Sequence, residues 1–190
     1  MESASAAPMR PNPPGKTPPG QTMPFVIARD GTWYYRGTPI RRKELVCLFA
    51  GILTRDQDGA YLLETPVERG HITVEDSPFV AVELDWKICR GGSQHLSFRL
   101  NTDQVVCAGC QHPIRIAPGA TPDERVPYLH VRDGKGALPI EARICRSVFY
   151  ELVALGETQH IDGQETLGVW SGGCFFPLGL TSSQEQFGAA

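Results

Sequence analysis

Phe25-Val26-Ile27-Ala28-Arg29-Asp30-Gly31-Thr32-Trp33-Tyr34-Tyr35 sets two apolar, strand-favouring triplets on either side of an Asp-Gly pair. That is a hairpin signal, because Asp-Gly tolerates the positive φ angles a tight turn needs. Pro39-Ile40 and a helical pattern follow. About a hundred residues on, a spacing too long for a solenoid repeat, Arg132-Asp133-Gly134 is again followed by Pro139-Ile140 and a second helical pattern. The pair predicts an α+β chain of two small, internally duplicated domains, each of mainly antiparallel sheet with one main helix. A groove between such modules is a common place for a ligand.

Both helices are expected to open at a proline. Thr38 would cap the first, and Pro39 suits the first helical position, where an N–H would have no partner anyway. Leu45, Leu48, Phe49, Ile52 and Leu53 then form one buried stripe. After Pro139, Cys145, Val148, Phe149, Leu152 and Val153 repeat that stripe, with Cys145 in the place of Leu45. Between the helices, Val80, Val82, Leu84, Trp86 and Ile88 alternate with Glu83, Asp85 and Lys87. Gly91-Gly92 turns the chain, and Leu96, Phe98 and Leu100 alternate on the way back. Shorter strands are expected at 61–63, 71–74, 104–107, 114–116, 128–131 and 166–170.

The boundaries follow from composition. Residues 1–23 are crowded with proline and nearly free of large apolar side chains, so they are expected to form a disordered or extended arm. Residues 24–78 are expected as an N-terminal α+β domain and 79–187 as a β-rich C-terminal one. A net charge of -3 and a pI of about 5.9 give no global field favouring nucleic acid polymers or anionic membranes. No apolar run approaches the roughly 20 residues of a membrane helix. With no signal-like start, the six cysteines read as reduced thiols of a cytoplasmic protein. No cofactor is expected, and the sequence leaves the oligomeric state open.

The candidate ligand residues begin with Arg41, Arg42 and Lys43. At the start of a helix these cations oppose its dipole, and an anion would relieve them. The second helix would open with Glu141, the ordinary polarity. The alternative is that Glu44, Glu75 or Asp76 neutralises the cations, or that they point into water. Asp76 and Asn101 are candidates to fix polar edges of a ligand, and Tyr150 and Trp170 to stack on it, Trp170 lying beside the Ser171-Gly172-Gly173 turn. Asp76 also suits a turn before Ser77-Pro78.

Cys107, Cys110 and His112 form half of a zinc motif whose second half is missing, so two buried thiols are expected there. Asp56-Gln57-Asp58-Gly59 lacks the ligands a calcium loop requires. No phosphate loop, dinucleotide fingerprint or nucleophile elbow is present, and no catalytic residue or metal ligand is assigned.

Several stretches together resemble the bacterial family catalogued as domain of unknown function 1285. They are 28–33, Glu75-Asp76-Ser77-Pro78-Phe79-Val80, Phe98-Arg99 with Asn101, His112-Pro113, 149–153, and Val169-Trp170-Ser171-Gly172-Gly173 with 176–179. The resemblance implies a two-domain α+β fold with duplicated motifs. It also implies a C-terminal domain loosely like pleckstrin-homology folds, a nucleotide-like ligand at the domain interface, and a role in signalling. An acidic stretch ahead of Arg-Asp-Gly that the family pattern carries is replaced here by Gly20-Gln21-Thr22-Met23-Pro24. The expected function is thus a ligand-binding or signalling module for a small anionic molecule. The alternatives are a small hydrolase or transferase using Asp76 and His112, and a protein-interaction module without a small ligand.

Overall fold

The computed structural model describes residues 22–180 apart from 90, 91, 120, 122 and 123. The arm expected over 1–23 thus lies outside the described residues up to 21, while Thr22 and Met23 already belong to the first strand; Gly91 of the predicted turn is also outside.

The chain forms an α+β protein of two domains. The first contains β1 (Thr22–Ile27), β2 (Trp33–Tyr35), β3 (Thr38–Pro39), α1 (Lys43–Gly51), β4 (Leu53–Arg55), β5 (Tyr61–Glu64) and β6 (Arg69–Val74). The second contains β7 (Phe79–Ile88), β8 (Gln94–Leu100), β9 (Val105–Cys107), β10 (Ile114–Pro118), β11 (Arg125–Asp133), β12 (Pro139–Ile144) and α2 (Arg146–Ala154). It ends with β13 (Glu157–Ile161), β14 (Gln164–Ser171) and β15 (Cys174–Leu180). There are two six-stranded mixed sheets, ordered β3-β2-β1-β6-β5-β4 and β10-β11-β12-β7-β8-β9, and a three-stranded one, β13-β14-β15.

Both large sheets share one plan. Three strands walk outward from the centre, three walk back in, and the first and last meet as a central parallel pair, β1 with β6 and β7 with β12. The sequence motifs do not sit at equivalent points of this plan. Arg29-Asp30-Gly31 turns between the first and second strands of its sheet, but Arg132-Asp133 ends the fifth strand of its own and Gly134 leads toward the sixth. The helix follows the third strand in one sheet and the sixth in the other.

The helix starts are corrected. Pro39 pairs with Tyr34 in the edge strand β3, and Pro139 is the first residue of β12. Proline at either place sacrifices no ladder bond, so it suits strands as well as helix starts. The helices begin later, behind Arg42 and Cys145 as N-caps. Arg41 and Arg42 therefore precede α1, and only Lys43 lies in its first turn. Glu141 lies in β12 and opens no helix. The first stripe is corrected too: Leu48 is 62 % exposed and Leu45 37 %, while Ala50 and Leu53 are buried with Val46 and Phe49 packed beside them. Val148 and Leu152 of α2 are fully buried as expected, but Cys145 precedes that helix, so it does not share the register of Leu45. In β7 the register shifts between Ala81 and Glu83. Phe79 and Ala81 face the core before the shift, and the strand turns to Leu84 after it.

Cys110 and Cys174 are joined by a disulfide across 64 residues. The expectation of six reduced thiols is thereby corrected, as is that of a buried Cys107 and Cys110, both of which are exposed. The bridge ties the loop after β9 to the start of β15. Beside it, Ser171 Oγ donates to the Ala108 carbonyl at 2.7 Å and accepts from Leu96 N at 2.9 Å, seating the small sheet on the larger one.

Each Arg-Asp-Gly turn presses on the opposite domain. A Cβ on Gly31 would lie 2.5 Å from Asn101 Nδ2, and one on Gly134 would lie 2.6 Å from the Arg55 carbonyl oxygen. Arg132 reaches across to donate to the carbonyls of Ala50 at 2.7 Å and Leu53 at 3.1 Å, at the C-terminal end of α1. A cation there complements the helix dipole. Burial holds its pKa below the ordinary arginine value. At the other end of α1, Lys43 pairs with Asp103 at 2.6 Å, and the Cys47 thiol donates to the Thr102 carbonyl at 3.3 Å.

Two outcomes are expected in urea unfolding. Gly134 has a φ of -88°, which any residue adopts, so Gly134→Ala costs only the collision with Arg55, about 1–3 kcal/mol; an unchanged midpoint would show the domains packed less closely. Replacing Cys110 and Cys174 by Ser should lower stability by up to about 4 kcal/mol, the chain-entropy value for a 64-residue loop. Reductant should then shift the unaltered protein and leave the double variant where it is.

Candidate functional site

The N-terminal domain holds a groove of about 750 Å³ between α1 and the end of its sheet, within the usual range of small-ligand sites. It opens because β1 parts from β6. Thr22 is opposite His71 and Val26 opposite Thr73, so extra residues of β1 bow away from the ladder between those points. Met23 and Phe25 line the gap from that strand, Leu45 and Phe49 from α1, and Leu63 from β5. The rings of Phe25 and Phe49 meet edge-on at 4.8 Å, and Tyr35 lies 4.9 Å from Phe25.

The rim is polar. Tyr35 and Thr38 pair across a two-residue turn, Arg36-Gly37, with φ of 50° and 77°. Such turns prefer Asn or Asp at the first position, because a bulky side chain is strained at positive φ. The corresponding turn between β13 and β14 uses Asp162-Gly163, φ 50° and 80°. At the groove the strained position holds an arginine instead, whose guanidinium lies 5.3 Å over the Tyr35 ring. Among the described residues no carboxylate pairs with Arg36. Thr65 and Glu68 border the groove as well.

A second polar cluster lies where the two domains join. Asp76 accepts from Tyr128 Oη at 2.6 Å and from Arg143 Nη1 at 2.8 Å. Glu141 takes two bonds from Arg115 at 2.5 Å each, and the Arg115 guanidinium stacks 4.6 Å over Tyr128. Burial, then the bond to Asp76, holds the Tyr128 phenol well above its ordinary pKa; burial pushes Tyr61 up to about 12. Burial works against the charge of Arg115, but the bonds to Glu141 outweigh it and raise its pKa. The charges of this cluster are spent on one another, an arrangement that locks the junction.

The seven residues singled out by sequence are not drawn together: no hydrogen bond, ion pair or ring contact joins any two of them. The side chains of Arg41 and Arg42 are exposed and, among the described residues, have no partner. Lys43 is held by Asp103, so neither Glu44, Glu75 nor Asp76 neutralises it. Asn101 spends both ends of its amide on the fold, accepting from Val80 N at 3.1 Å and donating to the Gly31 carbonyl at 3.2 Å. Tyr150 is 64 % exposed on α2, and Trp170 rests against Phe175 at 5.2 Å. His112 contacts the His130 carbonyl through Nδ1 at 3.2 Å, and no bond joins it to Asp76. Among the described residues no cluster of three or more His, Cys, Asp or Glu is placed to hold a metal. The groove residues Arg36, Tyr35 and Phe25 were missed; the available signal was an arginine before glycine between Tyr35 and Thr38, a turn with the wrong first residue.

No described helix is long and apolar enough to cross a membrane. No curated protein matches the chain. A crystal structure of a DUF1285 family protein from Silicibacter pomeroyi DSS-3 is 40% identical, with a TM-score of 0.74, covering 92% of this chain and 91% of that one. Another, from Shewanella baltica OS155, is 26% identical with a TM-score of 0.51, covering 70% of this chain and 91% of that one. Residues 14–77 match the N-terminal domain of unknown function DUF1285, and residues 78–178 match the C-terminal domain of the protein of unknown function DUF1285. With both domains matched in order over most of its length, the chain belongs to the DUF1285 family.

Proposed function

We propose that the protein is a ligand-binding module of a signalling kind that takes a small anionic molecule in the groove of its N-terminal domain. The observation that carries this is an apolar, aromatic-floored groove of about 750 Å³ with an arginine at its rim that no described carboxylate neutralises. A concave apolar site with a few polar groups at its edge is the common form of a small-molecule site. Arg41 and Arg42 follow Ile40 of the groove wall directly and add to the positive charge on that side.

This reading moves the ligand from the cleft between the domains to a site beside it. The two places stay linked, because α1 forms a wall of the groove and is held at both ends by the C-terminal domain. A nucleotide-like molecule remains one candidate anion. The looser expectation of a pleckstrin-homology-like C-terminal domain belongs to the same proposal, as does descent of the two domains from one duplicated unit. The shared strand order of the large sheets supports the latter. No particular observation favours a hydrolase or transferase.

Thermal-shift measurements with nucleotides, sugar phosphates and carboxylates test the reading. A ligand at about a hundred times its Kd should add about 2.7 kcal/mol of stability. Arg36→Gln should remove most of that gain and Arg41→Ala with Arg42→Ala a smaller part. The reading fails if no anion raises the unfolding temperature, or if the gain survives Arg36→Gln intact.

A further inference from the structure

We infer that the anion for which the groove is built is a linear amphiphile, an unbranched alkyl chain ending in a single carboxylate. This rests on the reading that the groove binds an anion and names its chemical class. The floor is made by Met23, Phe25, Leu45, Phe49, Ile52 and Leu63, none of which carries a side-chain hydrogen-bond donor or acceptor of any strength. Of the polar side chains in the lining, Thr22, Tyr35, Arg36, Thr38 and Glu68 are exposed and Thr65 is half-buried.

A nucleobase laid on these side chains would set its N–H and C=O edges against carbon, where none of them offers a bond in return. An alkyl chain has no such edges, and every methylene it buries is favourable. The charge at the rim fits the same class. One guanidinium pairs a carboxylate through two parallel bonds. Arg36 is that guanidinium: it lines the groove and lies 5.3 Å over the Tyr35 ring. Of the three arginines on this side only Arg36 lines the groove, so a polyphosphate would bring several negative charges to one guanidinium and set some of them toward Glu68 on the same border.

Calorimetric titration of the full chain with octanoate, decanoate and dodecanoate, each below its micelle concentration, tests the inference. A single site is expected, with affinity rising about fourfold per added methylene until the groove is full. Dodecanol should bind the unaltered protein about as weakly as dodecanoate binds Arg36→Gln. Leu45→Glu should abolish binding of all the carboxylates. Because Leu45 is already 37 % exposed, that variant should keep its unliganded unfolding temperature, which confirms it is folded. If Leu45→Glu unfolds, Arg36→Gln on a surface turn carries the test alone.

Binding of AMP or a sugar phosphate at the groove without any of the fatty acids would overturn the inference and leave the anion-binding reading standing. Binding of neither class would overturn both. Uptake of fatty acid unaffected by both variants would place it elsewhere on the protein and also overturn the inference.

Discussion

Arg132 fixes the geometry on which the rest of the molecule depends. Its guanidinium leaves the second domain, passes 5.3 Å over the ring of Phe79, and meets the Ala50 carbonyl in the last turn of the first domain's helix and the Leu53 carbonyl at the start of β4. Carbonyls in the last turn of a helix have no partner within it and must find one when covered. A short helix of nine residues has little stability of its own and takes its position from what it touches. Here it touches the neighbouring domain at both ends and its own sheet along one face. The groove wall that carries Leu45 and Phe49 is thus held from the far side of a domain boundary.

The strands were the legible part of the fold. Asp30-Gly31 between two apolar triplets, and the alternation leading into Leu96, Phe98 and Leu100, are local patterns, and local patterns give hairpins. Pro39 and Pro139 misled because a missing N–H is tolerated at an edge strand, at the first residue of a strand and in the first turn of a helix alike. Sequence also does not show which face of a helix meets its sheet. Leu48 has the same character as a core leucine, yet it points to solvent while its neighbour Phe49 packs against Phe25. The pairing of Cys110 with Cys174 has no local signature at all: it exists because the turn after Ser171 is seated against Ala108.

Little of the candidate site was visible, for a related reason. Met23, Phe25, Phe49 and Leu63 come from four separate segments, and each reads as ordinary core. Only the bowing of β1 away from β6 turns them into a floor. The cations that attracted notice were Arg41, Arg42 and Lys43, whose supposed conflict with a helix dipole rested on a misplaced start. Once the helix begins at Lys43 the conflict shrinks to one residue, and Asp103 resolves it. The repeated Arg-Asp-Gly did mark something real: both copies are points where backbone of one domain comes within reach of the other, and glycine is what permits the approach.

The shared plan of the two large sheets also bears on the order in which they form. Each is closed at its centre by strands drawn from opposite ends of its own segment, so Val26 must find Thr73, and Phe79 must find Ala142. Bringing such distant partners together costs more chain entropy than closing a hairpin, and contacts of this kind slow folding. The outer meanders need only neighbours a few residues away. Assembly is therefore favoured from the edges inward, and the middle of each sheet, its best-protected part once formed, is the last to be made.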